Sequence, residues 1–393
     1  MMGTTMGRTR TRRSAALAIF ASGLIATHAW ALPPDGGTSR LQAQIAGKVI
    51  GIQGPPAALP QPSVDSHEAI TRLLAAPLTN DSAVRIALLN NPELQSVLGK
   101  AALGISDWQG ADNLAKRQAQ VDIAVLSARA TKAWVQAVAT AQSTRAVREA
   151  KETAETTGEL ARRMVQAGNL SKLNQALYQV KLSDAAIALA RAEQAAFAAR
   201  EQLIQALGLW GAQTEFTLAD SLPALPDVVL EMPDVEARAI AARSDFGQLT
   251  ADWQLKRRPP TSPGDLWDVM GDAATVRAAA VKLRSQARLA YFSYRSTYDI
   301  ARQLQTQVLP LRKFIHEEQT LRYNGMLTSV FDVLADSQVQ SQTVSAAAQA
   351  ARDFWLAQAD LQALLAGAPL DALAISTGPS ANDAAPASGS AGH

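Results

Sequence analysis

Four stretches of this chain run for roughly forty residues each without a glycine or a proline: Leu114 to Thr157, Leu170 to Leu207, Asp272 to Leu309 and Met326 to Ala366. Such windows favour uninterrupted helix, and at ~1.5 Å per residue the first alone would be on the order of 65 Å long. Rods of that length cannot share one compact core. They must pack on other rods along most of their extent.

The apolar spacing says which side does the packing. Leu182, Ala185, Leu189, Ala192, Ala196, Ala199, Leu203 and Ala206 alternate steps of three and four. Val344, Ala347, Ala351, Phe354, Gln358, Leu361 and Leu365 keep the same rhythm with one polar member. A 3.5-residue period draws a seam along each helix, and alanine in the seam lets two axes approach closely. The spacing serves a coiled coil and an antiparallel bundle alike. Aromatic residues are only 5% of the chain, which disfavours an aromatic-packed β-sandwich.

The rods come in two copies. With a shift of 157, Ala130, Ala133 and Trp134 fall on Ala287, Ala290 and Tyr291, and Gly168, Leu170, Ser171 and Leu173 fall on Gly325, Leu327, Thr328 and Val330. Gln205-Ala206-Leu207 likewise falls on Gln362-Ala363-Leu364, while earlier in each half the shift is 152, Ala87-Leu88 falling on Ala239-Ile240. Each copy reads as a short helix, a junction, a long helix, a glycine-containing turn and a long returning helix. Gly168 and Gly325 supply the left-handed residue that closes a helix, and Ser171 or Thr328 caps the next one. The fold class expected is therefore mainly α: two tandem long helical-hairpin repeats forming a coiled-coil-like bundle, with little or no β.

The remaining segments follow from composition. Residues 1–31 read as an export signal, with Arg8, Arg10, Arg12 and Arg13 before an apolar run and an Ala29-Trp30-Ala31 cleavage site. Residues 32–77 form an extended Pro/Gly-rich arm, 78–208 the first repeat and 209–233 a linker in which Glu215 to Leu218 could make a short strand. Residues 234–367 form the second repeat and 368–393 a disordered tail of Ala, Ser, Pro and Gly. The formal net charge of +2 belongs to the signal: without its four arginines, 33 basic residues face 35 acidic ones, a net of −2. Nothing in that balance calls for nucleic acid.

Several segments together resemble the outer-membrane efflux factors of the TolC family. They are Ala83-Val84-Arg85-Ile86-Ala87-Leu88-Leu89-Asn90-Asn91-Pro92-Glu93-Leu94, the Ala167-Gly168-Asn169-Leu170-Ser171 turn, Asp220-Ser221-Leu222-Pro223-Ala224-Leu225-Pro226 and, above all, Arg322-Tyr323-Asn324-Gly325-Met326-Leu327-Thr328-Ser329-Val330-Phe331-Asp332-Val333-Leu334. The resemblance covers roughly Leu78 to Gly367 and is specific only as a set. It implies a homotrimer enclosing a passive helical tunnel, the outer component of a tripartite efflux or export system. A periplasmic adaptor would meet the hairpin tips and link the tunnel to an inner-membrane pump. By resemblance the tip contacts are Gly168, Asn169, Leu170 and Ser171 with Gly325, Met326, Leu327, Thr328 and Ser329.

The chain departs from that family where each repeat should carry two membrane strands. A barrel strand needs about 9 to 11 alternating residues. The intervals Gly99 to Lys116 and Gln248 to Asp272 have neither the room nor the pattern for two. With no cysteine for a lipid anchor, a second reading stands beside the first: a barrel-less, non-conducting periplasmic scaffold that binds an adaptor. The location expected is export to the outer membrane by resemblance, or to the periplasm as a soluble or peripheral protein.

No catalytic or cofactor pattern is present. His316-Glu317-Glu318-Gln319-Thr320 lacks a second His at helical spacing and reads as a solvated helix face, so no metal site and no enzyme are expected. Asp332 and Asp336, four apart, share a helix face just beyond the second turn and are candidate carboxylates of a periplasmic aperture, where a ring of them would favour cations.

Overall fold

A computed structural model of the chain describes residue 42 and residues 47–60, 66–103, 114–256 and 261–369. The expected export signal and nearly all of the expected tail lie outside the described residues. Ten helices account for most of the rest: α1 (His67–Leu74), α2 (Asn80–Asn90), α3 (Pro92–Leu103), α4 (Leu114–Gln166), α5 (Lys172–Leu207), α6 (Val235–Ala242), α7 (Ser244–Lys256), α8 (Pro263–Gln303), α9 (Leu309–Asn324) and α10 (Val330–Leu365). A π-helical turn, Leu304–Val308, joins α8 to α9 in one rod. Among the described residues there is no strand. The linker contributes a single parallel bridge between Leu78 and Leu218, in which Leu78 N–H donates to Thr217 O at 2.8 Å.

The sequence seams face where the period puts them. On α5 the residues from Leu182 to Ala206 at 3,4 spacing are half-buried or buried, and as far as Ala198 the residues between them are exposed. On α10, Ala347, Ala351, Phe354 and Leu361 are buried, Leu365 is half-buried, and only Val344 at the start of the seam is exposed. The lateral order is α5, α4, α10, then the α8–α9 rod, so α5 and α8–α9 form the two outer edges of the layer. Lys132 Nζ and Asp360 Oδ1, 2.7 Å apart, clip α4 to α10 and thereby the first repeat to the second.

The two halves use corresponding side chains alike. Trp134 Nε1–H donates to Leu78 O at 2.7 Å, and the Met232 N–H donates to Tyr291 Oη at 3.3 Å. In both halves one aromatic of the long outgoing helix holds the backbone just before the repeat's short helix. Two of the three buried clusters follow this division, the third, of Ile50, Val125, Ala128, Ala363 and Ala368, lying between α4 and the end of α10. One gathers Leu78, Ile86, Leu88, Trp134, Leu203 and Leu207; the other gathers Met232, Val235, Tyr294, Tyr298, Phe354 and Leu361.

Two expectations need correction. The arm over 32–77 is not extended throughout: it carries α1, whose Ile70 is buried, because the proline cluster ends at Pro62 and the following residues are good helix formers. Upstream, residues 49–60 cross the first repeat with Ile50, Ala57 and Leu59 buried. The second long helix also begins nine residues before its glycine-free window, at Pro263, because Ser262 and Asp265 form a reciprocal capping box ahead of a proline at the first helical position.

Candidate functional site

The two turns close with the same hydrogen bonds one residue out of sequence register. In the first, Gly168 N–H donates to Val165 O and Asn169 N–H to Met164 O; in the second, Met326 N–H donates to Tyr323 O and Leu327 N–H to Arg322 O. These are Schellman closures, which place one residue in the left-handed region. Gly168 takes that place with φ of 77°, but in the second turn Gly325 has φ of −81° and Met326 takes it at 60°. The cap moves with it. Ser171 Oγ accepts from Asn174 N–H in the first turn; in the second the cap is Ser329, accepting from Asp332 N–H, and not Thr328. The equivalence is thus 157 at Trp134 and Tyr291 but 158 at the tips.

The extra residue sits in the π turn. Leu309 N–H donates to Leu304 O, five residues back, in place of the usual four. Pro310 follows, and a proline cannot donate and clashes with the carbonyl four residues earlier in a regular helix. A wider turn absorbs both the inserted residue and the ring. Sequence reasoning missed this; Pro310, directly after the Asp272 to Leu309 window and well before the turn, was the available signal.

Both tips are exposed at one end of the layer, with Met326 and Leu327 projecting apolar side chains into solvent. Asn169 is exposed and Leu170 half-buried. The tips are joined just behind the turns by Tyr178 of α5 and Phe331 of α10, stacked at 4.8 Å.

Asp332 and Asp336 are brought to one side of α10, but neither is a free carboxylate. Asp332 Oδ2 accepts from Ser329 N–H, Ser329 Oγ and Thr328 Oγ1 at 3.1, 2.8 and 2.9 Å. Those hydrogen bonds, the Ser329 hydroxyl first, hold its carboxyl below the usual range. Asp336, its side chain only 10% exposed, meets Arg312 Nη2 at 3.1 Å and His316 Nδ1 at 3.0 Å. His316 is therefore not on a solvated face; it turns inward to the returning helix, because Arg312 and His316 are one turn apart on the side of α9 that meets Asp336. Among the described residues no group of His and carboxylates could hold a metal ion, and no helix is long and apolar enough to cross a membrane.

The outer edges carry a feature the seams did not announce. Leu173, Leu177, Val180 and Ile187 of α5 are each more than half exposed at 3,4-type spacing. So are Leu289, Phe292, Ile300, Leu311, Phe314 and Leu321 along α8–α9. Each outer helix is apolar on two sides, one facing its neighbour in the layer and one facing out.

This is the helical fold of the TolC-like efflux channels. It is similar to CusC, a protein whose crystal structures concern folding and transmembrane channel formation, with a TM-score of 0.50 at 12% identity over 77% of this chain and 96% of that one. It is also similar to a membrane protein from Pseudomonas aeruginosa, with a TM-score of 0.52 at 12% identity over 81% of this chain and all of that one. A looser likeness, to the outer-membrane channel OprN, has a TM-score of 0.44 at 17% identity over 84% of both chains. No protein-family model and no curated protein sequence matches the chain.

Proposed function

We propose that the chain is the outer component of a tripartite efflux or export system, working as a homotrimeric periplasmic helical tube whose hairpin tips dock an adaptor that connects to an inner-membrane pump. One observation carries this reading: a four-helix layer with an unpartnered apolar stripe on each of its two edges, α5 and α8–α9. A layer of that kind leaves those stripes in water as a monomer and covers them all when copies close into a ring.

The internal repeat supplies the register of closure. The contact of α4 with α10 inside the chain is the pseudo-equivalent of α8–α9 with α5 of the next copy. The Lys132–Asp360 pair, carried over by the repeat shift, brings Leu289 to about Gln202 of the neighbour. Stepping along both antiparallel helices then sets Leu311 opposite Val180 and Phe314 opposite Leu177. Exposed apolar residues thus meet exposed apolar residues.

Transport in such a tube is passive, with no covalent chemistry and no cofactor in the chain. The driving energy and the choice of cargo belong to the pump. Tip docking rests on Met326 and Leu327, solvent-exposed apolar residues beside Gly168 and Asn169 at the common end. Leu327→Asp should reduce cross-linking to the periplasmic adaptor at least several-fold while leaving the mass of the assembly unchanged. Undiminished cross-linking would contradict docking at the tips.

The scaffold reading has its own support. The described helices leave ten residues (104–113) between α3 and α4 and six (257–262) between α7 and α8. Two membrane strands need about 18 to 22. The tube therefore reads as a periplasmic element of the assembly without a barrel of its own.

A further inference from the structure

The two repeats present the same helix face in opposite states. In the first, Ala124, Val125, Ala128 and Lys132 of α4 are buried. The end of α10 packs there through Ala363 and Ala368, and residues 47–60 cross beside it, with Ile50 in the same cluster and its N–H donating to Ser127 Oγ at 3.2 Å. A shift of 157 carries those four positions to Val281, Lys282, Ser285 and Leu289 of α8. All four are exposed, Val281 by 60% and Leu289 by 63%. With Ala274 and Ala278 they line a shallow, mostly apolar hollow. The chain enters the second repeat through the linker, whose Leu225 and Val229 pack on the second core and leave this face bare.

The end of α5 offers the matching part. Its close repeats that of α10: Gly208 N–H donates to Gln205 O and Leu209 N–H to Ile204 O, as Gly367 N–H donates to Leu364 O and Ala368 N–H to Ala363 O. Gly208 and Gly367 both take the left-handed region, at φ of 68° and 96°. The closing glycines therefore set a shift of 159 here, against 157 for Gln205-Ala206-Leu207 on Gln362-Ala363-Leu364. Between those limits the counterpart of Ala368 lies from Leu209 to Gly211. Leu209 is buried in its own first core and Gly211 has no side chain, which leaves Trp210, 79% exposed. Asn90 Nδ2 donates to Gly208 O at 2.7 Å and to Leu207 O at 3.3 Å, so the backbone that carries Trp210 is held in place within the single chain.

We infer that Trp210 of each copy seats in the bare α8 hollow of the next, as the anchor that fixes the ring at the end away from the hairpin tips. The inference rests on the ring reading above and names the side chains that hold it. In that ring α5 of one copy lies against α8–α9 of the next in the manner of α10 against α4. Trp210 then arrives near Val281 to Ser285, the counterpart of the place where Ala368 packs in the first repeat. An indole is larger than alanine, and α8 has the room for it, since among the described residues no counterpart of Ile50 lies there. Arg277 and Lys282 stand at the sides of the hollow, where a cation over the indole face adds to the apolar contact. A second copy is the occupant because the same contact already exists inside the chain, between its two halves. The arrangement is head-to-tail: each copy gives one Trp210 and receives one, and all are covered only when the ring closes.

The test replaces the indole with a photoreactive ring, Trp210→p-benzoylphenylalanine, in co-assembled isotopically light and heavy chains, irradiated after light scattering has given the particle mass. The expected result is a three-chain particle in which cross-links join light to heavy chains within residues 274–289 of α8. Cross-links confined to one chain, or reaching another chain elsewhere, overturn the anchor. In parallel, Trp210→Ala and Ser285→Glu should each raise the concentration at which trimers dissociate by on the order of tenfold or more, and the double variant little further than the stronger single one. Both positions are exposed in the single chain, so its thermal unfolding should stay unchanged. Trimers of the Trp210→Ala variant as tight as those of the wild type overturn the anchor while leaving the ring. A wild-type particle of one chain at every concentration overturns the ring reading, and the anchor with it.

Discussion

Met326 is the residue that pays most for its place. Its backbone is left-handed at φ of 60° with its side chain 94% exposed, and glycine stands one position earlier where φ is an ordinary −81°. A non-glycine residue there costs roughly 1 kcal/mol. Met326→Gly should therefore raise stability by about 1 kcal/mol in urea unfolding. A loss of stability would show that the Met326 side chain makes contacts in the folded hairpin that outweigh the strain. The residue scale is also where the sequence was least legible. Gly168 was found with its correct role because its turn follows an unbroken helix. Gly325 was given the same role and did not have it, since a single inserted residue upstream moved the turn by one position. Asp332 and Asp336 share one side of α10, as their spacing requires, but their partners were not foreseen, because Thr328 and Ser329 act through the cap and Arg312 and His316 lie across a turn.

At the scale of elements, apolar period and the absence of glycine and proline located all four long helices, since a heptad seam has few alternative folds. What escaped were features set by local compensation. The short helix α1 is stabilised by burying Ile70 on the first core, a tertiary gain that no propensity reports. The π turn reconciles Pro310 with an extra residue, and neither alone would have required it. That pairing is testable. Deleting Gln307 alone should restore four-residue spacing and force Pro310 into a regular helix, at a cost of about 3 kcal/mol. Deleting Gln307 together with Pro310→Ala should recover most of that loss in thermal unfolding, with Arg312 and His316 still facing Asp336. A double variant no more stable than the deletion alone would contradict this origin for the turn.

At the scale of the whole molecule, the likeness of the two halves shows in their aligned residues, and the shortage of strand among the described residues was legible from the length of two intervals. The outward apolar stripes were not singled out. Exposed leucines at 3,4 spacing look like core in a sequence, and only the lateral order of helices shows which stripe has no neighbour. Closure into a ring is the central claim, and paired cysteines test it most directly, since the chain has no cysteine of its own. With Val180→Cys and Leu311→Cys in one chain, mild oxidation should yield covalent dimers and trimers and nothing larger, while each single variant yields neither. Chains that stay monomeric after oxidation, or that link without limit into longer ladders, would contradict a closed ring of three.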